Sequence, residues 1–528
     1  MLLFAYICLM AFAPLVYTTI RTISLAKLRD KTFVKALLKD YLRTFPAVAI
    51  VMLPTMAFPA IMPAYVLVLH LVFAPLLVLE LGHVHIFRAR IGLNTFYSLF
   101  VSNLRETREF VAQNISKGQL ALAAVICFAP LCFLAKMPAP AFGTEGIRWA
   151  SVGIAALLAL PFFLNLFKPD DSRKDGYVMN PFANVPYHYA LFRRNYRELR
   201  RLIAEHVAPP FEGVVSKLPQ GTKETYVIII GESANARHFG CYGYGRATTE
   251  FTDRLGAEMI RVAGVRSPFA QTIPSLERTL TFADDNRPDL VYAKGSIIDW
   301  FNDAGFRTYW LSNQYALDDT ALTAMTTHAS VSKCFNFSGM KRFEKAGLDG
   351  DLLPEVRKLL ASGEERKVVF LHLIGSHSAY VNRYPDEFRH FEGQATGRNL
   401  PHKKLRLLNA YDDSIRYTDW LVAEVVKELK AIDDVSYMLY FADHGEDVFD
   451  STDARILGHT QPANDFMMQV PFLLWTSRKL NRLRPDLRAA KTRRSYSLTD
   501  AIHTLIDISS LTGPDYEPKK SVFIRNAP

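Results

Sequence analysis

Hydrophobic positions divide the chain in two. In the first third they form long runs near residues 2–20, 45–61, 64–82, 118–136 and 149–167. Runs of that length with few charges predict membrane-spanning helices, five in all. The stretch 45–82 is too long for one span, and Met62-Pro63 offers a turn between two. No small-residue cleavage site follows the first run, which leads into the basic segment Arg21 to Arg43 and predicts a retained anchor. From Tyr226 onward, short β-rich runs alternate with amphipathic segments such as 351–361 and 411–430. The candidate strands are 226–230, 308–311, 368–372, 437–442 and 471–475. This alternation predicts an α/β domain with a mainly parallel central sheet and helices on both faces. Between the two parts, residues 187–203 have helical spacing and are rich in Arg and Tyr, which predicts an interfacial helix. Pro209-Pro210 and Gln220-Gly221 punctuate the entry to the second part. The expected organisation is a transmembrane domain over 1–167, a bridging segment over 168–224 and an α/β domain over 225–528, with no internal repeat.

Charge bears on partners and topology. A net charge of +10 over 528 residues suits an anionic surface such as phospholipid or lipopolysaccharide headgroups. No basic motif interleaved with aromatics supports nucleic-acid binding. Arg21, Lys27, Arg29, Lys31, Lys35, Lys39 and Arg43 crowd the segment after the first span. The positive-inside rule places that segment in the cytoplasm, and five spans would then put the large domain there too. Arg88, Arg90, Arg105 and Arg108, between spans three and four, pull the same way. Of five cysteines, Cys8, Cys127 and Cys132 lie in apolar runs, while Cys241 and Cys334 lie in the polar part, where a disulfide is open. The lack of a Cys-x-x-Cys argues against a thiolate zinc site.

The candidate chemistry sits at strand ends. The run Tyr437–Tyr440 leads into Phe441-Ala442-Asp443-His444-Gly445-Glu446, and the run Tyr226–Ile230 ends in Gly231-Glu232-Ser233. Open α/β sheets bind ligands at the carboxyl ends of their strands. Two strands that each deliver metal-type ligands predict one metal site built from distant pieces of chain. A third strand, 368–372, opens into Gly375-Ser376-His377-Ser378, and Gly458-His459 precedes the last strand. In Gln271-Thr272-Ile273-Pro274-Ser275 a hydroxyl stands just before a helix that a proline begins, where anions bind. A metal could activate such a hydroxyl. On these grounds alone Thr272, Ser233, Ser275 and Ser376 are all candidate nucleophiles, with Ser233 the strongest rival to Thr272.

Taken in order, Gly231-Glu232-Ser233, the Thr272 loop, His372-Leu373-Ile374-Gly375-Ser376-His377, Arg383-Tyr384-Pro385 and Ala442-Asp443-His444-Gly445-Glu446 resemble the phosphoethanolamine transferases of Gram-negative bacteria, members of the alkaline phosphatase/sulfatase superfamily. The resemblance covers the whole second part and extends to the five-span layout. Thr272-Ile273, Leu280-Thr281-Phe282-Ala283-Asp284 and Arg287-Pro288-Asp289-Leu290 look most like the lipopolysaccharide-core heptose phosphate branch. The lipid A branch typically carries several cysteine pairs that this chain lacks. The resemblance implies zinc held by Glu232, Thr272, Asp443 and His444, with Thr272 also the nucleophile and Ser233 only its neighbour. His377 and His459 would contact the transferred phosphate. Asn103 and Thr107 fit the family's donor-headgroup segment. Val111 stands where that segment has a glutamate, and Glu109 is the nearest acid. The resemblance further implies an inner-membrane protein with its N-terminus inside and its catalytic domain in the periplasm, against the charge-based topology. The basic 21–44 segment has no explanation in it.

The reaction so implied is a two-step transfer. Thr272 takes phosphoethanolamine from phosphatidylethanolamine, and a lipopolysaccharide acceptor, core heptose phosphate or lipid A, takes it from Thr272. The alternatives are a phosphoglycerol transferase, a sulfatase or phosphodiesterase, and a non-catalytic membrane regulator. A sulfatase would show Cys/Ser-x-Pro-Ser-Arg where this chain has Thr272-Ile273-Pro274-Ser275-Leu276.

Overall fold

The structure, a computed structural model, describes residues 2–22, 31–87, 90–92, 95–96, 99, 107–108, 111–112, 115–136, 144–166, 181–205, 210–314, 321–335, 347–394, 399–451, 457–458 and 463–524. It divides into two compact units, Met1–Arg197 and Glu198–Pro528.

The first unit is helical: α1 (Leu2–Thr22), α2 (Lys31–Ala57), α3 (Met62–Phe87), α4 (Lys117–Leu134), α5 (Glu145–Leu166) and most of α6 (Pro181–Glu205), which continues past Arg197. A helix satisfies its own backbone, the condition for crossing hydrocarbon. Among the described residues three stretches are long and apolar enough to span a membrane: Leu3–Arg21, Pro59–Phe87 and Lys117–Leu134. The expected span 45–61 meets only a shorter apolar stretch, Thr44–Ala57, and the expected span 149–167 overlaps α5, so three spans and not the expected five are found among the described residues. Lys31, Lys35, Lys39, Asp40 and Arg43 load the first half of α2 with charge, which confines its apolar part to the second half. A capping box of Ser116 and Gln119 starts α4.

Leu3, Ile7, Ala11, Val48, Met62, Val66 and Leu134 pack α1 to α4 together. A polar link adds to this: Tyr6 donates to His70 Nδ1, and His70 Nε2 donates to the Cys127 carbonyl at 2.9 Å. Such interhelical hydrogen bonds act as glue where water is absent. Large side chains such as Leu9, Ile20, Phe128 and Leu157 face outward, as a lipid solvent favours. Near the start of α6, Asn184 Nδ2 donates to Glu80 Oε2 of α3 at 3.0 Å and to the Ile91 carbonyl at 2.9 Å. Ile91, Phe96, Val185 and Phe192 pack around that contact.

The second unit is built on a seven-stranded sheet: β1 (Glu224–Gly231), β2 (Met259–Arg261), β3 (Arg307–Ser312), β4 (Val331–Cys334), β5 (Arg366–His372), β6 (Val435–Ala442) and β7 (Phe472–Thr476). The order across the sheet is β2-β7-β6-β1-β5-β3-β4. From β6 to β4 every pairing is parallel, and β7 runs antiparallel to both β6 and β2. The sheet is therefore mixed but mainly parallel, with its one reversed strand at the expected 471–475 position. Strands covered on both faces read as continuous apolar runs, and Tyr226 to Ile230 are all fully buried. At about 1.5–3 kcal/mol for each large apolar side chain, this centre dominates the stability of the unit. Two helices matter for the site. Helix α7 (Thr272–Thr279) carries the Thr272 motif. Helix α8 (His402–Ala431) starts nine residues before the amphipathic segment read from sequence and buries Leu408, Tyr411, Ile415, Val422, Val425 and Leu429 on one face.

Parallel pairing fixes where the strand ends lie. Gly231 stands opposite Ala442, Ile230 opposite His372, and Ser312 opposite His372. The chain leaves β5 through Gly375, at φ +48°, where an added Cβ would lie 2.8 Å from both the amide nitrogen and the carbonyl oxygen of Glu232. Only glycine fits a left-handed turn pressed against another backbone. Behind the strand ends, His238 is buried between two carboxylates, with Nδ1 2.7 Å from Asp412 and Nε2 3.1 Å from Asp450. Burial alone would pull its imidazole down. The charge and hydrogen bond of Asp412, then those of Asp450, outweigh burial and raise it to about 9.

Gly375→Ala should cost at least about 2 kcal/mol of stability, from the left-handed φ and the backbone clash together. A parent-like melting temperature would contradict it. For His238 the folded-state value lies above the unfolded one, so its stabilisation is complete below the unfolded value of about 6.5 and is lost as pH rises through 9. The stability gap between the parent and His238→Gln, measured by melting at matched metal loading from pH 6 to 10, should be widest at the acidic end, up to about 3 kcal/mol, and should close at the alkaline end. A gap that widens with pH would refute the buried cation.

Candidate active site

Glu232 follows Gly231 and Asp443 follows Ala442, so the register of β1 and β6 alone sets these two carboxylates side by side. The Asp443 amide donates to the Gly231 carbonyl at 3.0 Å, which carries the pairing one step past the strands. His444 comes next. Its Nδ1–H donates to the Gly445 carbonyl at 2.8 Å, and its Nε2 lies 3.3 Å from Glu232 Oε1 and 3.6 Å from Asp443 Oδ2. Thr272 arrives on the first turn of α7, with Oγ1 donating to Glu232 Oε2 at 3.0 Å and lying 3.5 Å from His444 Nε2. The four residues expected to form the metal site therefore meet at one point. All but Thr272 are fully buried.

The electrostatics of this cluster call for a cation. Burial opposes ionisation of Glu232, yet the hydrogen bond and charge of His444, then the charge of His377, hold its carboxyl well below the usual range. Burial, then the neighbouring Glu232 charge, pushes Asp443 up to about 8. Burial pulls His444 down, but the Asp443 charge and the Glu232 hydrogen bond raise it to about 10. Asp443 Oδ2 is buried with no hydrogen-bond partner. One ligand atom each from Glu232, Asp443 and His444 lies within 4.8 Å of the others. Two carboxylates, one orphaned oxygen and an imidazole whose far nitrogen is tied to a carbonyl form a donor set that fits a divalent zinc ion.

The surroundings separate the candidate nucleophiles. Ser233, at φ 55°, turns its Oγ inward to donate to Glu232 Oε1 at 2.7 Å, while its amide donates to Asp443 Oδ1 at 3.2 Å. Ser275 Oγ donates to the Asp443 carbonyl at 2.6 Å. Ser376 Oγ accepts from Ser414 Oγ at 2.9 Å. All three are buried and bonded, so Thr272 is the hydroxyl left at the edge of the cluster.

His377 lies on the loop after β5, and its Nδ1 is buried with no hydrogen-bond partner. Arg383 holds that loop through Nε to the His377 carbonyl at 3.0 Å and Nη2 to the Ser378 carbonyl at 2.6 Å. Asp349 holds its other end through the amides of Ile374 and Gly375, both at 2.9 Å. His459, Asn103 and Glu109 lie outside the described residues. Thr107 is exposed on a short helical turn of the first unit. No disulfide joins Cys241 and Cys334.

Sequence reasoning passed over three residues. Gln314 binds Glu232. Asp349 anchors the His377 loop. Glu446, fully buried, is raised to about 8 by burial and has one oxygen without a partner. Glu446 stood inside the motif Asp443-His444-Gly445-Glu446 and could have been singled out there. Gln314 and Asp349 carry no local signature.

Residues 224–510 match the sulfatase family. The chain is 28% identical over 447 residues to phosphoethanolamine transferase EptC of Escherichia coli strain K12, covering 81% of this chain and 77% of that protein. It is 28% identical over 491 residues to phosphoethanolamine transferase CptA of Salmonella typhimurium, covering 89% and 84%. The crystal structure of the C-terminal periplasmic domain of EcEptC from Escherichia coli, a complex with Zn, is 30% identical with a TM-score of 0.56, covering 60% of this chain and 90% of that one. The integral membrane lipooligosaccharide phosphoethanolamine transferase EptA of Neisseria meningitidis has the same fold along the whole chain, with a TM-score of 0.72 at 17% identity, covering 99% and 98%. The chain belongs to the sulfatase family, in its phosphoethanolamine transferase branch.

Proposed function

We propose that this protein transfers phosphoethanolamine from phosphatidylethanolamine to a lipopolysaccharide acceptor, core heptose phosphate or lipid A, through a covalent intermediate on Thr272. The observation that carries the reading is the hydroxyl of Thr272 at 3.0 Å from Glu232 Oε2 and 3.5 Å from His444 Nε2, on the first turn of a helix. That position combines a metal-binding cluster with the end of a helix dipole that favours anions.

Glu232, Asp443, His444 and Thr272 would hold a zinc ion, which would supply Lewis acidity to the threonine hydroxyl and positive charge to the phosphate. In the first step Thr272 Oγ1 bonds to the donor phosphorus. The bond from phosphorus to the diacylglycerol oxygen breaks, and diacylglycerol leaves with a proton. The hydroxyl proton departs along the existing hydrogen bond to Glu232 Oε2. In the second step an acceptor oxygen bonds to the same phosphorus, the Thr272 Oγ1–phosphorus bond breaks, and Thr272 regains a proton. His377 and His459 contact the phosphate and serve the proton transfers. His377 suits this because its buried Nδ1 has no protein partner.

The proposed setting is the inner membrane, crossed by five spans with 1–167 as the transmembrane domain and 168–224 as a bridge. The catalytic domain 225–528 faces the periplasm, and the α6 helix lies on the headgroups. Asn103, Thr107 and Glu109 would sit near the donor headgroup.

Intact protein incubated with phosphatidylethanolamine and no acceptor should gain the mass of one phosphoethanolamine, on the peptide that contains Thr272. Thr272→Ala should gain none and lose at least about 10³-fold in transfer rate. An adduct on Ser233 would move the nucleophile, and normal diacylglycerol release by Thr272→Ala would end the covalent mechanism.

A further inference from the structure

Glu232 is gripped at both oxygens. Its Oε1 accepts from Ser233 Oγ at 2.7 Å. Its Oε2 accepts from Thr272 Oγ1 at 3.0 Å and from Gln314 Nε2 at 2.9 Å. A carboxylate oxygen has two lone pairs. One on each oxygen is thus spent on a neighbouring side chain other than Thr272, which leaves one on each for the cluster of Thr272, Asp443 and His444. Gln314 comes from β3, beyond β5 in the sheet, and so reaches Glu232 across a strand. Its second amide proton goes to the Leu373 carbonyl at 2.8 Å, so neither proton remains for a substrate.

The turn that presents Gln314 is itself fixed. The Gln314 amide donates to Ser312 Oγ at 3.1 Å, and Cys334 Sγ donates to the Gln314 carbonyl at 2.8 Å. Next to it, Asn313 Nδ2 donates to Asp349 Oδ1 at 2.8 Å. Asp349 also holds the Ile374 and Gly375 amides, and so joins this turn to the loop that carries His377.

We infer that Gln314 is a positioning residue that fixes the rotation of the Glu232 carboxylate, so that one lone pair of each oxygen faces the metal position and Thr272. The inference rests on the proposed reading of Glu232 as a zinc ligand. Gln314 acts only through Glu232 and does not touch the reacting atoms. Removing a partner of this kind typically costs 10–100-fold in metal affinity.

The test is the zinc dissociation constant of the full chain in detergent, measured by chelator competition, beside the melting temperature of the metal-free protein. Gln314→Met keeps the length and removes both donors. It should weaken zinc binding about 10–100-fold with the metal-free melting temperature unchanged. In a Glu232→Gln background the same change should add no further loss, because the two-oxygen carboxylate whose rotation Gln314 fixes is gone. Gln314→Ala serves as the second variant and should behave alike. Zinc affinity within about twofold of the parent in both variants overturns the inference, as does an equal loss in the Glu232→Gln background. A fall in the metal-free melting temperature with zinc affinity intact would mark a purely structural side chain and also overturns it. If Glu232→Gln itself binds zinc like the parent, the ligand assignment fails, an outcome separate from failure at Gln314.

Discussion

The parallel register of four strands is the constraint on which the site depends. With Gly231 opposite Ala442, Ile230 opposite His372 and Ser312 opposite His372, four chain segments leave the sheet at one level. Each brings its chemistry within one to five residues of its strand end: Gln314 after β3, His377 after β5, Glu232 after β1 and Asp443-His444 after β6. A slip of one residue in any of these pairings would turn that strand's side chains to the opposite face and part the ligands. The fully buried runs Tyr226–Ile230 and Tyr437–Ala442 are what make such a slip costly. Core and site are therefore one argument, since the hydrophobic pattern that stabilises the sheet also sets the geometry of its charges.

That geometry is expensive without a counter-charge. Buried carboxylates with an unpartnered oxygen cost several kcal/mol unless a cation or proton joins them. In the proposed reading a divalent ion supplies that counter-charge, and Thr272 Oγ1, 3.0 Å from Glu232 Oε2, stands beside it. Outside the cluster, Arg383 and Asp349 hold the loop of His377, while His238 joins Asp412 to Asp450 behind the strand ends. This division is the usual one between side chains that react and side chains that hold others still.

The sequence made the centre of the sheet legible because doubly covered strands leave continuous apolar runs, and five such runs fall on observed strands, four of them parallel and one, β7, reversed. The residues directly after two of those runs, Glu232 and Asp443-His444, could be picked out for the same reason. The short edge strands Met259–Arg261 and Val331–Cys334 left no run long enough to notice. The reversal of β7 depends on its partners and not on its own residues. Gln314 and Asp349 act across strands distant in sequence, and a lone glutamine or aspartate in a loop has no periodicity to mark it. The choice of Thr272 over Ser233 came from family resemblance. In the structure both hydroxyls donate to Glu232, and they differ in exposure: Ser233 is fully buried and Thr272 is partly exposed. In the helical unit, hydropathy located the apolar stretches, but the charged first half of α2 blurred where a span begins.

The most direct measurement is diffraction at the zinc absorption edge from crystals of the zinc-loaded full chain. The account predicts an anomalous peak at the ends of β1 and β6, with Glu232, Asp443, His444 and Thr272 Oγ1 each about 2.0–2.2 Å from it. A peak ligated by other residues, with Thr272 out of reach, would contradict it.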